Sequence, residues 1–356
     1  MKKTLVALAA LAATGAFAQS TVSVYGAIDA SFNAASADLA GGSQTKNFMG
    51  TSQLGSSKLG FMGTEDLGGG LKANFKLEGG LNNDSGAGKA TNTNNQASGA
   101  SATQAGLTFQ RFSYVGLSGG FGEIRLGRDY VNTFLQAQAA VDPFGTNGPA
   151  DSTNIALKLA SYTATNASNM FGYTTPDFNG FSVNAQVFMG ENASGTTSSD
   201  DGGGYSLLAK YAKGPLFVSV AQAETKYLAG DYLLRALSAS YNFGPATVVF
   251  TNAHEEVAVA GTPKNDSNLF GVIVPVGAFN FKASYIMGER TVVAAGKGTL
   301  LGLGVDYALS KRTTAYATYA AVTNSDGGAS YSTGGVGTVV ANGSSSNLAI
   351  GVKHNF

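Results

Sequence analysis

No cysteine occurs among the 356 residues, which excludes a disulfide framework, thiol catalysis and cysteine-based metal sites. There are two histidines, His254 and His354, too far apart in sequence for a local metal motif, and no acidic run has calcium-loop spacing. Charged residues make up only 12% of the chain, about half the fraction usual for a soluble domain. Lys plus Arg and Asp plus Glu each number 22, so the formal charge is zero and gives no reason to bind nucleic acid. No apolar run approaches the ~18 residues of a helical membrane span. Prolines number only seven, which together with the low charge favours a barrel. No glycine-rich stretch leads into a helix in the manner of a phosphate cradle, and no cofactor is implied.

Glycine (49 residues) and the aromatics Tyr and Phe (15 and 21) are abundant instead. The stretch Ser56–Glu78 reads as two short strands around a turn at Gly68–Gly70. Leu71, Ala73, Phe75 and Leu77 alternate with Lys72, Asn74, Lys76 and Glu78, and Leu59 and Phe61 alternate with Lys58, Met62 and Thr64. One face is thus apolar and the other polar. A soluble sandwich buries the apolar face, whereas a membrane barrel turns it to lipid and lines a wet lumen with the polar one.

The N-terminus favours the second arrangement. Lys2 and Lys3 precede an apolar run from Leu5, and Ala16-Phe17-Ala18 supplies small residues around a cleavage point. Residues 1–18 are expected to be a cleaved signal peptide and 19–356 a single barrel domain of formal charge −2. About sixteen strand candidates follow, and short turns alternate with long polar connections along the chain. The polar segments Asn33–Gln53 and Asn82–Gln104 and the stretch 130–169 are expected to be loops. This rhythm predicts an all-β, transmembrane antiparallel barrel of about sixteen strands, with short periplasmic turns and long outer loops, in a bacterial outer membrane. The final strand places Ile350, Val352 and Phe356 on one face. The terminal Phe356 fits the signal read by the barrel assembly machinery, and outer-membrane lipid is the surrounding solvent.

Several segments resemble the general-diffusion porins of beta-proteobacteria, of the Neisseria and Comamonas type. They are Val24-Tyr25-Gly26, Gly63-Thr64-Glu65-Asp66-Leu67-Gly68-Gly69-Gly70-Leu71-Lys72-Ala73, Tyr114-Val115-Gly116-Leu117, Leu126-Gly127-Arg128, Asp306–Thr313 and Gly351–Phe356. The resemblance implies a homotrimer, a third outer loop folded into the lumen, and passive diffusion of small hydrophilic solutes with weak anion preference. By alternation Lys58, Lys72, Lys76, Arg111 and Arg125 form a basic pore wall, and the resemblance adds Arg128 at the rim. Asp129, Asp142 and Asp151 are the acids of the loop about 130–169; they either oppose that wall across a transverse field or hold the loop. Met62, Gly172 and Asn166 stand where such porins commonly carry basic residues, which thins the wall.

Three other readings compete. A barrel phospholipase needs a nucleophile beside His254 or His354, and neither lies in such a motif. A substrate-specific channel for a sugar or carboxylate would use aromatic tracks, with Tyr25, Tyr114, Tyr162 and Tyr173 as candidates, although alternation turns Tyr114 toward lipid. A surface adhesin would use the long loops, which show no binding chemistry.

Overall fold

The computed structural model describes residues 21–91, 95, 106–159, 163–292, 295–328 and 331–356. The expected signal peptide, much of the stretch 92–105, and Tyr162 lie outside the described residues. Strand segments are β1 (Thr21–Leu39), β2 (Gly42–Thr51), β3 (Lys58–Gly68), β4 (Leu71–Asn82), β5 (Ala87–Gly88), β6 (Phe112–Gly119), β7 (Gly122–Tyr130), β8 (Asn166–Thr174) and β9 (Phe181–Phe188). There follow β10 (Gly204–Lys213), β11 (Leu216–Thr225), β12 (Tyr232–Asn242), β13 (Thr247–Val257) and β14 (Lys264–Val276). The last are β15 (Phe279–Arg290), β16 (Gly296–Ala308), β17 (Thr313–Ser325) and β18 (Ser344–Asn355).

All pairings are antiparallel, and β1 closes the cylinder by pairing with β18 on one side and with β2 and β3 on the other. β2 and β3 face successive parts of β1, so they are one wall strand interrupted at Ser52–Ser57. The two-residue β5 belongs to the loop after β4. The wall therefore has sixteen strands, and closure satisfies every edge that lipid would otherwise leave unpaired. Backbone bonds between Gly26 and Phe356 tie the two ends together, and the Phe356 ring occupies the space that a side chain at position 26 would need.

Three boundaries differ from the sequence expectation, the first being the loop 130–169, because Tyr130 closes β7 and β8 already opens at Asn166. Asn33–Gln53 is not a loop: β1 runs on to Leu39, turns tightly, and returns as β2. Its inward residues are small and polar, such as Ser31 and Asn33, because the inside of a barrel is wet, so the segment looks like loop by composition. β6 begins at Phe112, five residues after Leu107, since Leu107–Phe109 lies against the outer wall at Gly79 and Phe61.

Register settles which face meets lipid. Val22 and Val24, 66% and 61% exposed, share a face with Phe61, Phe75 and Val115, while Tyr25, Lys58, Lys76 and Glu78 share the other. The apolar face points outward. At the end bearing the tight turns, Tyr173, Phe181, Tyr211, Tyr241, Phe279 and Tyr307 form an outer aromatic belt on β8–β16, the side chains suited to a membrane interface.

Half of the inner wall breaks the alternation. Leu208, Ala221, Ala236, Val249, Leu269, Ile286, Leu300 and Val322 are buried although they point inward. They receive the chain between β7 and β8, which folds into the lumen as helical turns Thr133–Gln138, Ala139–Val141 and Thr153–Ala156. Ala137 packs on Leu208 and Ala236, Val141 and Ile155 on the Val249–Val322 cluster, and Phe144 and Ala150 on Ala320. Glycine makes the seat. A Cβ at Gly271 would lie 2.6 Å from Pro143, at Gly288 2.5 Å from Ile155, and at Gly302 2.8 Å from Ala150.

Candidate functional site

Three clamps hold the inward loop. At its start, Asn132 donates to Asn184 Oδ1 (2.8 Å) and its backbone N–H donates to Gln186 Oε1 (3.2 Å). At its end, the buried Glu255 accepts from the N–H of Lys158 (2.7 Å) and from the hydroxyl of Tyr232 (2.7 Å). Beside it, Asn265 donates to the carbonyls of Ile155 and Ala156. The tip crosses the lumen to the break between β2 and β3, where Ser56 Oγ donates to Asn147 Oδ1 (3.2 Å). Gly148, at φ +74°, passes so close to the carbonyl of Gln53 that a Cβ would lie 2.2 Å from its oxygen. That break is itself pinned by Asp29, whose Oδ2 accepts the N–H groups of Leu54 (2.6 Å) and Gly55 (2.8 Å).

The loop thus lines the β10–β17 side and leaves the eyelet against β1–β7. On that wall Glu78 is the hub. Its carboxylate is buried and accepts from Tyr25 (2.8 Å) and Arg111 Nε (2.5 Å), with Lys58 Nζ at 3.4 Å and Lys76 Nζ at 3.8 Å. Three cations share one carboxylate, so the cluster keeps a surplus of positive charge. Sequence reasoning placed Glu78 on the polar strand face but overlooked this role, although its parity with Lys72 and Lys76 was a visible signal.

The other predicted cations are placed differently. Arg125 points inward, with Nη2 2.9 Å from Glu123 and Nη1 2.9 Å from Asp129, so it is neutralised locally. Lys72 also has inward parity, but it sits beside the Gly68–Gly70 turn opposite Asp66, in the mouth rather than the eyelet. Arg111 reaches inward because a bend precedes β6, not by strand alternation. Its neighbours Phe112 and Tyr114 pair with Glu78 and Lys76 and also face the lumen, which corrects the lipid-facing placement of Tyr114. The Arg125 guanidinium carbon lies 4.6 Å from the Tyr114 ring. Arg128 is spent on the loop after β4 and on β8: its Nε donates to the carbonyl of Gln110 (2.6 Å) and its Nη1 to Ser168 Oγ (2.6 Å). The bulge between Gly127 and Asp129 shifts the register there and turns it away from the wall row.

The three acids hold backbone and each other's neighbourhood rather than forming a row. Asp142 is buried and accepts from the N–H groups of Phe144 (2.8 Å), Ser152 (3.1 Å) and Thr146 (3.3 Å), closing the loop tip. Asp151 accepts from the N–H of Thr153 at 2.7 Å. Asp129 belongs to β7 and pairs with Arg125. Burial raises the Asp142 carboxyl above its usual range; burial, and then the nearby Asp142, push Asp151 up to about 7. Lys158, the loop's base, is lowered by burial. What the loop presents to the eyelet is uncharged: Phe134, Leu135, Ala139, Gly145, Thr146 and Asn147 face Arg111 and Ser56 across a cavity of about 240 Å³.

Further inward cations come from strands that sequence reasoning did not weigh. Lys353 is paired in register with Asp29, Lys210 lies 3.5 Å from Gln136, and Lys282 forms a 2.5 Å ion pair with Asp306 beneath Phe144. Each alternates with outward apolar residues, as Lys353 does with Val352, so parity alone could have found them. Met62 and Gly172 are inward by register, and Asn166 donates to the carbonyl of Arg111 (3.1 Å). Both histidines point outward. His254 lies between Asp266 (2.6 Å) and Glu256 (3.4 Å), and His354 contacts Thr313 (2.9 Å). Among the described residues no group of histidine and acidic side chains is arranged to hold a metal.

Residues 4–327 match the model of a family described as Gram-negative porin. The chain is 35% identical over its full length, and that of the relative, to outer membrane porin protein 32 of Delftia acidovorans. It is 30% identical to a major outer membrane protein P.IB of Neisseria meningitidis over 64% of this chain and 60% of that protein. Among solved structures, the anion-selective porin from Comamonas acidovorans superposes with a TM-score of 0.80 at 31% identity, covering 95% of this chain and 100% of that one.

Proposed function

The chain belongs to the Gram-negative porin family and is an outer-membrane channel, not an enzyme, and from that premise we propose how its lumen selects. Small hydrophilic solutes and ions diffuse passively through the eyelet, with a weak preference for anions. The observation that carries this reading is the asymmetry of the eyelet: Lys58, Lys76 and Arg111 share the single buried carboxylate of Glu78, and the opposite loop face carries no charge. An anion passing between them meets surplus positive potential on one side and no fixed negative charge on the other. A cation meets the reverse. The preference stays weak because Glu123 and Asp129 cancel Arg125, and because Met62 and Gly172 add no charge to the wall. Lys72 contributes at the mouth, where it concentrates anions before they enter. Arg128 stands outside the row of pore cations and braces the loop after β4 against β8.

The channel is a homotrimer in this reading. The belt row that holds Tyr173 on β8 continues onto β7, β6 and β4 as Ile124, Leu117 and Ala73, side chains suited to close contact between subunits rather than to a headgroup layer. Phe356, outward at the seam, serves as the signal for the assembly machinery. The test is the reversal potential of full-length channels in a planar bilayer under a potassium chloride gradient. A potential on the anion side, with conductance arriving in groups of three steps, supports the reading. A cation-side potential overturns it.

A further inference from the structure

The eyelet has an apolar flank that the passage of chloride does not require. Ser56, Arg111, Tyr130, Phe134, Leu135 and Ala139 border one cavity of about 240 Å³. Within it a cation, a phenol ring and a phenyl ring follow in series. The Arg111 guanidinium carbon lies 5.3 Å from the Tyr130 ring, and Tyr130 stacks on Phe134 with centroids 5.7 Å apart and planes 14° apart. Tyr130 is buried and held from behind by Phe112, at 4.9 Å, so it backs the site rigidly. Leu135, next along the loop, is 36% exposed. An apolar side chain held at a hydrated eyelet forgoes the burial that would stabilise it, and all the more so in a loop whose other face is fully packed.

We propose that this cavity is a recognition subsite for small monocarboxylates bearing a flat ring or a short apolar body, with benzoate as the simplest aromatic probe. The carboxylate is taken by the N–H groups of Arg111 not already donated to Glu78 and Ser56, and the apolar body lies on Phe134 and Leu135. Arg111 remains attractive despite its bond to Glu78, because Lys58 and Lys76 draw on the same carboxylate. The volume lies just below the ~300 Å³ at which drug-sized pockets begin, which suits a single ring. The inference rests on the anion-preferring reading and names the solute class that gains most from it.

The experiment uses purified full-length channels in a planar bilayer carrying chloride current. Sodium benzoate, sodium acetate and benzyl alcohol are added in turn, and the concentration that halves the current is read for each. Covering roughly 60 Å² of ring face corresponds to about a tenfold gain in occupancy, so benzoate should block at about one-tenth the concentration of acetate. Benzyl alcohol should not block. Leu135→Asn and Phe134→Ser should each bring the benzoate value up toward that of acetate. Leu135 is exposed on the loop, so its replacement leaves the packed face intact, and the benzoate-to-acetate ratio on the unaltered protein stands without any variant.

Equal block by benzoate and acetate, or a benzoate value unmoved by both substitutions, overturns the subsite. The reversal potential recorded in the same membranes separates the two levels. An anion-side potential with equal block removes only the subsite, whereas a cation-side potential removes the selectivity reading on which it rests.

Discussion

Nε of Arg111 lies 2.5 Å from Oε1 of Glu78, joining two residues 33 positions apart on the lumenal wall. Two lysines lean on the same carboxylate, so Glu78 sets how much of the wall's positive charge reaches a passing ion. Glu78→Gln should strengthen anion preference. A unit charge ~7 Å from an ion in water is worth ~0.6 kcal/mol, with opposite sign for anion and cation, hence about a sevenfold rise in the anion-to-cation permeability ratio at low salt. The reversal potential measures it, and an unchanged value would show that Glu78 is screened from the permeating ion.

Gly172 lies opposite Arg125 on the neighbouring strand, faces the lumen, and has ordinary contacts only, the nearest being Gln186 Cγ at 3.6 Å. A side chain fits there. Gly172→Lys should raise the anion-to-cation ratio by a factor of the same order, by the same Coulomb argument. Permeability measurements in parallel on Met62→Lys, also inward, should show a change of the same sign.

The loop acids give the channel a pH dependence. Asp151 titrates near 7 because burial and Asp142 disfavour its charged form. Lowering the pH from 8 to 5 should neutralise it and steady the docked loop, and Asp151→Asn should flatten that response. The folded-state value is raised, so the docked loop binds more protons than the free one between about pH 4 and 7. Loop docking is therefore strongest at low pH and weakens as the pH rises through 7. Conductance noise recorded across this range should grow toward alkaline pH.

Glu255 joins the far end of the loop to the wall through Lys158, Leu159, Tyr232 and Asn265. Glu255→Ala takes the acceptor from the Lys158 and Leu159 N–H groups and the Tyr232 hydroxyl and should cost ~1–3 kcal/mol of loop docking. Larger, fluctuating conductance and faster tryptic cleavage after Lys158 are the expected signs. A quiet channel of normal size would show that the apolar seat alone suffices. Removing residues 131–165, the whole stretch between β7 and β8, should enlarge the pore further.

The sequence by itself determined the wall. Side chains on a strand alternate with period two, so the pattern Lys72, Asn74, Lys76 against Leu71, Ala73, Phe75 reveals a two-faced sheet, and turn chemistry reveals where it reverses. Closure into a barrel of sixteen follows from that repeat, because lipid tolerates no open edge. Even the inward loop left a trace: Leu207-Leu208, Val248-Val249 and Leu300-Leu301 put apolar residues on both faces, which a lumen filled only with water would not.

Tertiary structure alone decided the eyelet. Arg111 and Arg128 lie beside a bend and a bulge, where alternation no longer tells direction. Asp142 and Asp151 look like a charged rim in sequence, yet three-dimensional packing turns them onto the loop's own N–H groups. Ser56 meets Asn147 across 91 residues, and only the closed wall brings them together. Periodicity is local and can be read along the chain. A shared carboxylate, a glycine seat and an apolar flank are contacts between distant segments, and their energy depends on distances that appear only once the cylinder is closed.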